Sequence, residues 1–337
     1  MKNLLTAIQP TNNLTLGNYL GAIKPFAKEK DKYFSKIFVA DLHSMTTRNI
    51  PGKDQVAEAK SFSNQIYTVV ATYIACGIEP DSCPIFLQSQ IPEHSEMNWL
   101  LSCYSYVGEL SRMHQFKDKS IKQGQSINAG LFTYPVLMAG DILLYETNVV
   151  PVGEDQKQHI ELARDIAVRI NSNYGESTVV LPEAIHPPNG AKIMSLKNPE
   201  QKMSKSDLNA DATIFLTDSA ESIMKKFKTA TTDSLPCVSS ESAHSPGIMN
   251  LIQIQAAILD KTYGEVLSSY VGKQYGYLKK ETGELVVSHL NPISKKISKL
   301  LCDKSELNAI LKKAKEDVQP TAQKTIRNLK QKMGFLI

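Results

Sequence analysis

Only one tryptophan and five cysteines occur among 337 residues. The cysteines (Cys76, Cys83, Cys103, Cys237, Cys302) are odd in number and lack the paired spacings that hold zinc or iron–sulfur clusters. That argues against a disulfide-stapled or metal-organised fold and for a reducing cytoplasm. No apolar run approaches the roughly 20 residues of a membrane-spanning helix, and residues 1–10 are too short and too polar for a secretion signal. No membrane partner is therefore expected. Internal repeats and low-complexity tracts are missing too. Neither sign of charge dominates overall, with a net of +4, yet residues 291–337 hold eleven Lys and Arg against four Asp and Glu. Such a tail suits either a solvated helix face or a polyanion partner.

What is present is a chain long enough for a large core and two domains. In the first half, short apolar runs alternate with longer periodic stretches, which predicts an α/β fold with a doubly wound parallel sheet. Residues 3–8, 36–40, 84–88, 148–152 and 192–196 read as strands. Helices are expected from Gly17 onward, from an Asp54 cap to Gly77, and over 94–112 and 154–170. Pro25 should kink or end the first. Beyond Ser206 the spans 218–228, 247–259, 264–270, 275–290 and 308–333 all read as helices, so the C-terminal third is a mainly helical module. Residues 114–128 read as a polar loop.

Ligands on an open parallel sheet bind beyond the C-terminal ends of its strands, which singles out the segments there. Gln9-Pro10-Thr11 follows the first strand, and Thr15-Leu16-Gly17-Asn18 opens the first helix. Gly17 lets a base or phosphate approach the backbone, and helix N-terminal amides attract phosphate. Thr15 and Asn18 add neutral donors, although the same four residues suit a plain capped helix. His43 lies past the second strand beside Asp41, either as a structural hydrogen bonder or near a substrate. Within 134–145, Pro135 suits a first helical position, and Met138, Asp141, Ile142 and Tyr145 share one face. A carboxylate in an apolar stripe needs a partner, either a nearby Lys or Arg or a ligand N–H. Gly153-Glu154-Asp155-Gln156 follows a strand. Gly153 can seat a ribose, Asp155 can accept from its hydroxyls or from an ammonium, and Gln156 can meet a small head group. Lys202-Met203-Ser204-Lys205-Ser206 suits a polyphosphate gripped as it leaves, or is a solvated basic loop.

In that order the three motifs resemble the class I aminoacyl-tRNA synthetases. The first usually begins and ends in histidine; Thr15 and Asn18 in those places resemble the tryptophanyl branch, as do residues 134–145 and 150–159. The likeness runs from residue 1 to about 234, where Thr232-Asp233-Ser234 also fits, and continues more weakly beyond. It implies a Rossmann-like catalytic domain over 1–200, with a dimer-interface insertion around 77–130 that carries Trp99. The lysine loop and a helical anticodon-recognition domain would occupy 201–337, its last helices packing back on the catalytic domain. L-tryptophan, ATP, Mg²⁺ bridging the phosphates, tRNA(Trp) and a homodimer are implied, with no resident metal. Tryptophan would attack the α-phosphorus of ATP, pyrophosphate would leave, and tryptophan would pass to the 3′ end of the tRNA.

On that resemblance Lys202, Ser204, Lys205, Ser206, Thr15 and Asn18 are catalytic. Asp141 accepts the indole N–H as the pocket's only polar group, Met138 packs on the ring, and Tyr134, Gln156, Gln9 and His43 meet the amino acid. Gln9, Pro10, Thr11, Gly17, Asn18, Gly153, Glu154, Asp155, Ile193, Lys202, Met203, Ser204, Lys205 and Ser206 hold the nucleotide. Lys117 and Lys119 add phosphate contacts or are solvated. Leu5, Thr6, Ala7, Pro25 and Leu208 depart from the family pattern; Leu208 stands where proline is frequent and bears on loop mobility. A tyrosyl-tRNA synthetase shares the fold, and Asp141 argues against it. A non-catalytic RNA-binding paralog would be expected to have lost the lysine loop, and a small-molecule adenylyltransferase would not need the basic tail.

Overall fold

The computed structural model describes residues 1–10, 14–48, 54–117, 127–153, 156–186, 190–205, 207–239 and 245–337. Five parallel strands form one sheet: β1 (Asn3–Ile8), β2 (Phe34–Val39), β3 (Ile85–Leu87), β4 (Val149–Pro151) and β5 (Glu183–Ile185). Their order is β3-β2-β1-β4-β5, so the chain winds outward from β1 in one direction and then in the other. A crevice opens where the winding reverses, beyond the C-terminal ends of β1 and β4.

Side chains alternate across a strand, and here they divide between two cores. Leu4, Ile8, Ile37, Val39 and Ile85 face one; Leu5, Phe38, Phe86 and Val150 face the other. A sheet apolar on both faces needs helices on both. On the first face helix Gln55–Ala75 packs against β2, and helices Pro246–Leu259 and Tyr275–Cys302 extend the same core outward. The second is covered by Glu93–Ser102, Ala129–Leu144 and Lys157–Tyr174. The last helix, Lys304–Lys332, packs beside β3 and joins both cores, with Leu307 and Leu311 in the first and Ala314, Val318 and Ala322 in the second. It thereby shields an edge strand that would otherwise offer unpaired backbone groups.

Several expectations shift. Pro25 does not end the first helix. Leu16–Asn18 is α-helical, Tyr19–Ile23 is a π turn, and Lys24–Glu29 resumes α. The Lys24 N–H reaches back to the Tyr19 carbonyl, so Pro25, with no N–H to place, falls at the start of a new segment. Pro135 is not at a first helical position either. Asn128 caps that helix by accepting from the Leu131 N–H at 2.9 Å, and Pro135 sits inside it. Residues 192–196 form no strand. Met194 instead makes an isolated antiparallel bridge to Lys202 of the lysine loop. The edge strand β5 escaped the sequence reading because Glu183 and Ala184 are exposed and give no apolar run.

The stretch 94–112 breaks into Glu93–Ser102 and Val107–Ser111, whereas Tyr275–Cys302 continues through Pro292. Among the described residues no helix is long and apolar enough to cross a membrane.

Candidate active site

A cavity of about 430 Å³ occupies the crevice at the C-terminal ends of β1, β2 and β4. Leu5, Phe38, Met138, Ile142, Val150 and Val152 supply apolar walls. Gln9, His43, Tyr134, Asp141, Gly153 and Gln156, all singled out by the sequence, also line it. Asp141 is not its only polar group, contrary to the expectation from the apolar stripe: Thr46 and Gln115 join those just named.

Nor is Asp141 alone. Its side chain is 0% exposed, and among the described residues neither a lysine nor an arginine answers it. His43 Nε2 lies 2.8 Å from Oδ2, and His94 Nδ1 lies 2.6 Å from Oδ1. Gln88 Nε2 donates to both oxygens, at 2.8 and 3.0 Å. Burial by itself would raise the Asp141 pKa, but the hydrogen bonds from His43 and His94 outweigh it and hold the carboxyl below its ordinary value. The ionised carboxylate can only accept, so each imidazole presents an N–H to it. Gln88 is itself oriented by the backbone, its Oε1 accepting from Leu42 N at 3.2 Å. Asp41 ties the start of its helix to the turn after β3, accepting from Leu42 N at 3.0 Å and Ser89 N at 2.9 Å.

Two turns before Asp141 on the same helix, the Tyr134 hydroxyl lies 2.9 Å from His159 Nε2 and donates to Gln115 Oε1 at 3.1 Å. Burial pushes its pKa up to about 12, so it stays a neutral donor. Gln88, His94, Gln115 and His159 are site residues that the sequence pattern does not single out, and Tyr145 stands out only as part of the apolar face. Their only signal is polarity among apolar neighbours, and their partners lie on other elements.

The first helix and the lysine loop meet each other. Thr15 and Asn18 form a reciprocal cap: Asn18 N donates to Thr15 Oγ1 at 3.1 Å, and Thr15 N and Oγ1 donate to Asn18 Oδ1 at 3.1 and 3.0 Å. The Thr15 hydroxyl is thus committed and buried, while Asn18 is exposed with its amide nitrogen directed outside the cap bonds. A Cβ on Gly17 would touch Met203 Cβ at 3.4 Å and Ile193 Cβ at 3.6 Å. That contact joins the first helix to the two paired arms of a loop far along the chain.

The loop is tied by Met203 N, which donates to Ile193 O at 3.0 Å, and by the Thr213 hydroxyl, which donates to Ser204 O at 2.8 Å. Gly190 makes the close approach possible, since a Cβ there would lie 1.9 Å from the Gly21 carbonyl oxygen. Lys202 and Lys205 are exposed; partial desolvation still pulls Lys205 below the ordinary lysine value. Pro10 is buried beside Gln9. Thr11, Lys119, Glu154, Asp155 and Ser206 lie outside the described residues.

A doubly wound parallel sheet, a cavity at its switch point and a lysine loop against its first helix define a Rossmann-like protein built to bind a nucleotide beside a small apolar molecule. The family model for tRNA synthetases class I (W and Y) matches residues 2–291. A tryptophan–tRNA ligase of Clostridium perfringens is 46% identical over 335 residues, covering 99% of this chain and 98% of the relative. Among solved structures, the tryptophanyl-tRNA synthetase of Mycoplasma pneumoniae aligns with a TM-score of 0.84 and 35% identity, covering 100% of this chain and 98% of its own. That of Campylobacter jejuni, complexed with ADP and tryptophan, gives a TM-score of 0.84 and 33% identity, over 99% of this chain and 100% of its own. The chain belongs to the class I tRNA synthetases of the W and Y family and, within it, to the tryptophan–tRNA ligases.

Proposed function

We propose that this chain activates L-tryptophan with ATP to tryptophanyl-adenylate, releases pyrophosphate, and transfers tryptophan to the 3′ end of tRNA(Trp). The observation that carries this reading is Asp141: a fully buried carboxylate, held ionised, that lines the cavity wall beside Met138 and Ile142 and is paired there with His43. An indole offers one N–H on an apolar bicycle, which is the shape and polarity that wall complements. Met138 packs on the ring, while Tyr134, Gln156 and Gln9 meet the amino-acid head group. His43 borders the indole edge.

The tryptophan carboxylate attacks the α-phosphorus in line, and the bond to the bridging oxygen of pyrophosphate breaks. No covalent intermediate with the protein is needed, so the residues act by positioning and by stabilising charge. The amide of Asn18 and the helix N-terminus meet phosphate oxygens, with Thr15 holding Asn18 in place. Gly17, Ile193 and Met203 give the adenine a flat apolar seat, with Pro10 and Thr11 at its edge. Gly153, Glu154 and Asp155 serve the ribose. Lys202 and Lys205, with Ser204 and Ser206, neutralise the departing pyrophosphate. Mg²⁺ enters with ATP as part of the substrate. Among the described residues no group of three His, Cys, Asp or Glu side chains could hold an ion of its own.

The division into a catalytic domain over 1–200 and a helical, tRNA-reading domain over 201–337 belongs to the same proposal. So does a homodimer formed through 77–130, where Trp99, Tyr106 and Val107 are 71, 59 and 71% exposed. Sedimentation of the wild type and of Trp99→Glu tests the dimer; a wild-type monomer refutes it. Pyrophosphate exchange into ATP, measured with each amino acid in turn, tests the activity. Exchange supported by tyrosine and not by tryptophan would overturn it.

A further inference from the structure

We propose that His94 is the positioning residue of the specificity carboxylate: it fixes which Asp141 oxygen faces the cavity, and so how sharply an indole N–H is told from an isosteric ring without one. This rests on the reading of Asp141 as the indole acceptor.

The three donors to Asp141 stand on two sides. His43 lines the cavity, whereas Gln88 and His94 do not and are both 0% exposed. A carboxylate offers about four acceptor directions. Here two contacts reach Oδ1, from His94 and Gln88, and two reach Oδ2, from His43 and Gln88. The His94 contact is the shortest of them, at 2.6 Å. An arriving N–H competes with His43 on the cavity side, at Oδ2, while Oδ1 stays tied to the protein side.

His94 is itself held at both ends. Its Nδ1 meets Asp141, and its Nε2 lies 2.8 Å from the Tyr145 hydroxyl. Asp141 and Tyr145 are one turn apart, at the end of a single helix, so the imidazole bridges two points of one rigid element. Since Asp141 only accepts, Nδ1 carries a proton, and Nε2 shares a hydrogen bond with the Tyr145 hydroxyl. Phe38 and Phe86 pack around the ring, with centroids 5.8 and 6.3 Å away. The Glu93–Ser102 helix that carries His94 is braced by the last helix, with Gln319 donating to Glu93 at 3.1 Å and Lys330 to Glu96 at 2.8 Å.

The test compares tryptophan with 3-(benzothiophen-3-yl)alanine, in which sulfur replaces the indole N–H, by ATP–pyrophosphate exchange. Wild type should prefer tryptophan by at least about 10²-fold in kcat/KM, as sites built to hydrogen-bond a ligand do. His94→Ala should cut that preference about tenfold or more, through KM for tryptophan and not KM for ATP. His94→Asn places an amide donor near Nδ1 and should recover part of it. His94→Gln, with its amide near Nε2, should not. The two amide variants decide the matter if the alanine variant fails to fold. No preference in the wild type would overturn the reading of Asp141, and this inference with it. A wild-type preference retained in both His94→Ala and His94→Gln, or an equal loss of rate with both amino acids, would overturn the role of His94 alone.

Discussion

Replacing Asp141 by asparagine removes a charge and one acceptor oxygen without changing shape. Four contacts converge on that carboxylate, from His43 at 2.8 Å, His94 at 2.6 Å, and Gln88 at 2.8 and 3.0 Å. Asparagine keeps one carbonyl and turns an amide N–H₂ toward donors that the other oxygen used to accept. At least one buried N–H then loses its partner, at a cost of about 1–3 kcal/mol, and the surviving bonds fall from charge-assisted to neutral strength. Together these should lower stability by roughly 2–4 kcal/mol. Binding suffers separately: an indole N–H that loses a charged acceptor forfeits about 1.5–3 kcal/mol, or roughly 10- to 150-fold in KM for tryptophan.

The lysine loop and the first helix make no hydrogen bond to Asp141 in the bonds described, so KM for ATP should stay put. Pyrophosphate exchange titrated with each substrate at saturation of the other reads both constants, and a thermal melt reads the stability. An unchanged KM for tryptophan, or an equal rise in KM for ATP, would refute the argument.

Lys205→Ala should slow activation by about 10²-fold while tryptophan binding, followed by calorimetry, stays intact, because it removes one donor to the leaving group. Unchanged turnover would take the loop out of the mechanism. Gly190→Ala should push the 190–194 segment off the first helix, because its Cβ would sit 1.9 Å from the Gly21 carbonyl oxygen. A cost of about 1–3 kcal/mol or more is expected from such overpacking, and a melting temperature equal to wild type would contradict it. His289, 2.9 Å from the Tyr19 hydroxyl, has its pKa lowered by burial first and by Lys24 next, with Asp260 opposing. The unfolded chain therefore binds this proton more readily, and stability is lost as pH falls below the unfolded value of about 6.5. His289→Gln should flatten that loss in melts run between neutral and acidic pH; parallel curves for the two proteins would refute it.

The parts legible beforehand are those with a local cause. β1 to β4 announce themselves as apolar runs, and Asp54 caps its helix as its position suggests. Asp141 stands out because a carboxylate in an apolar stripe violates the pattern around it. β5 carries no such mark, since an edge strand with exposed Glu183 and Ala184 needs no apolar run. Pro25 does not end its helix, because one π turn, invisible in composition, precedes it and a new α segment starts there.

The chemistry-bearing residue types and their order along the chain were set by the sequence by itself, and those sufficed to indicate a synthetase and its amino acid. Which groups answer Asp141 was decided only by tertiary structure: Gln88 and His94 lie 53 and 47 residues upstream on other elements. The same holds for Gly17, Ile193 and Met203, joined by packing between the first helix and a loop far along the chain. Hydrogen bonding and contact across packed elements depend on distance in space, and no periodicity along a chain encodes that distance.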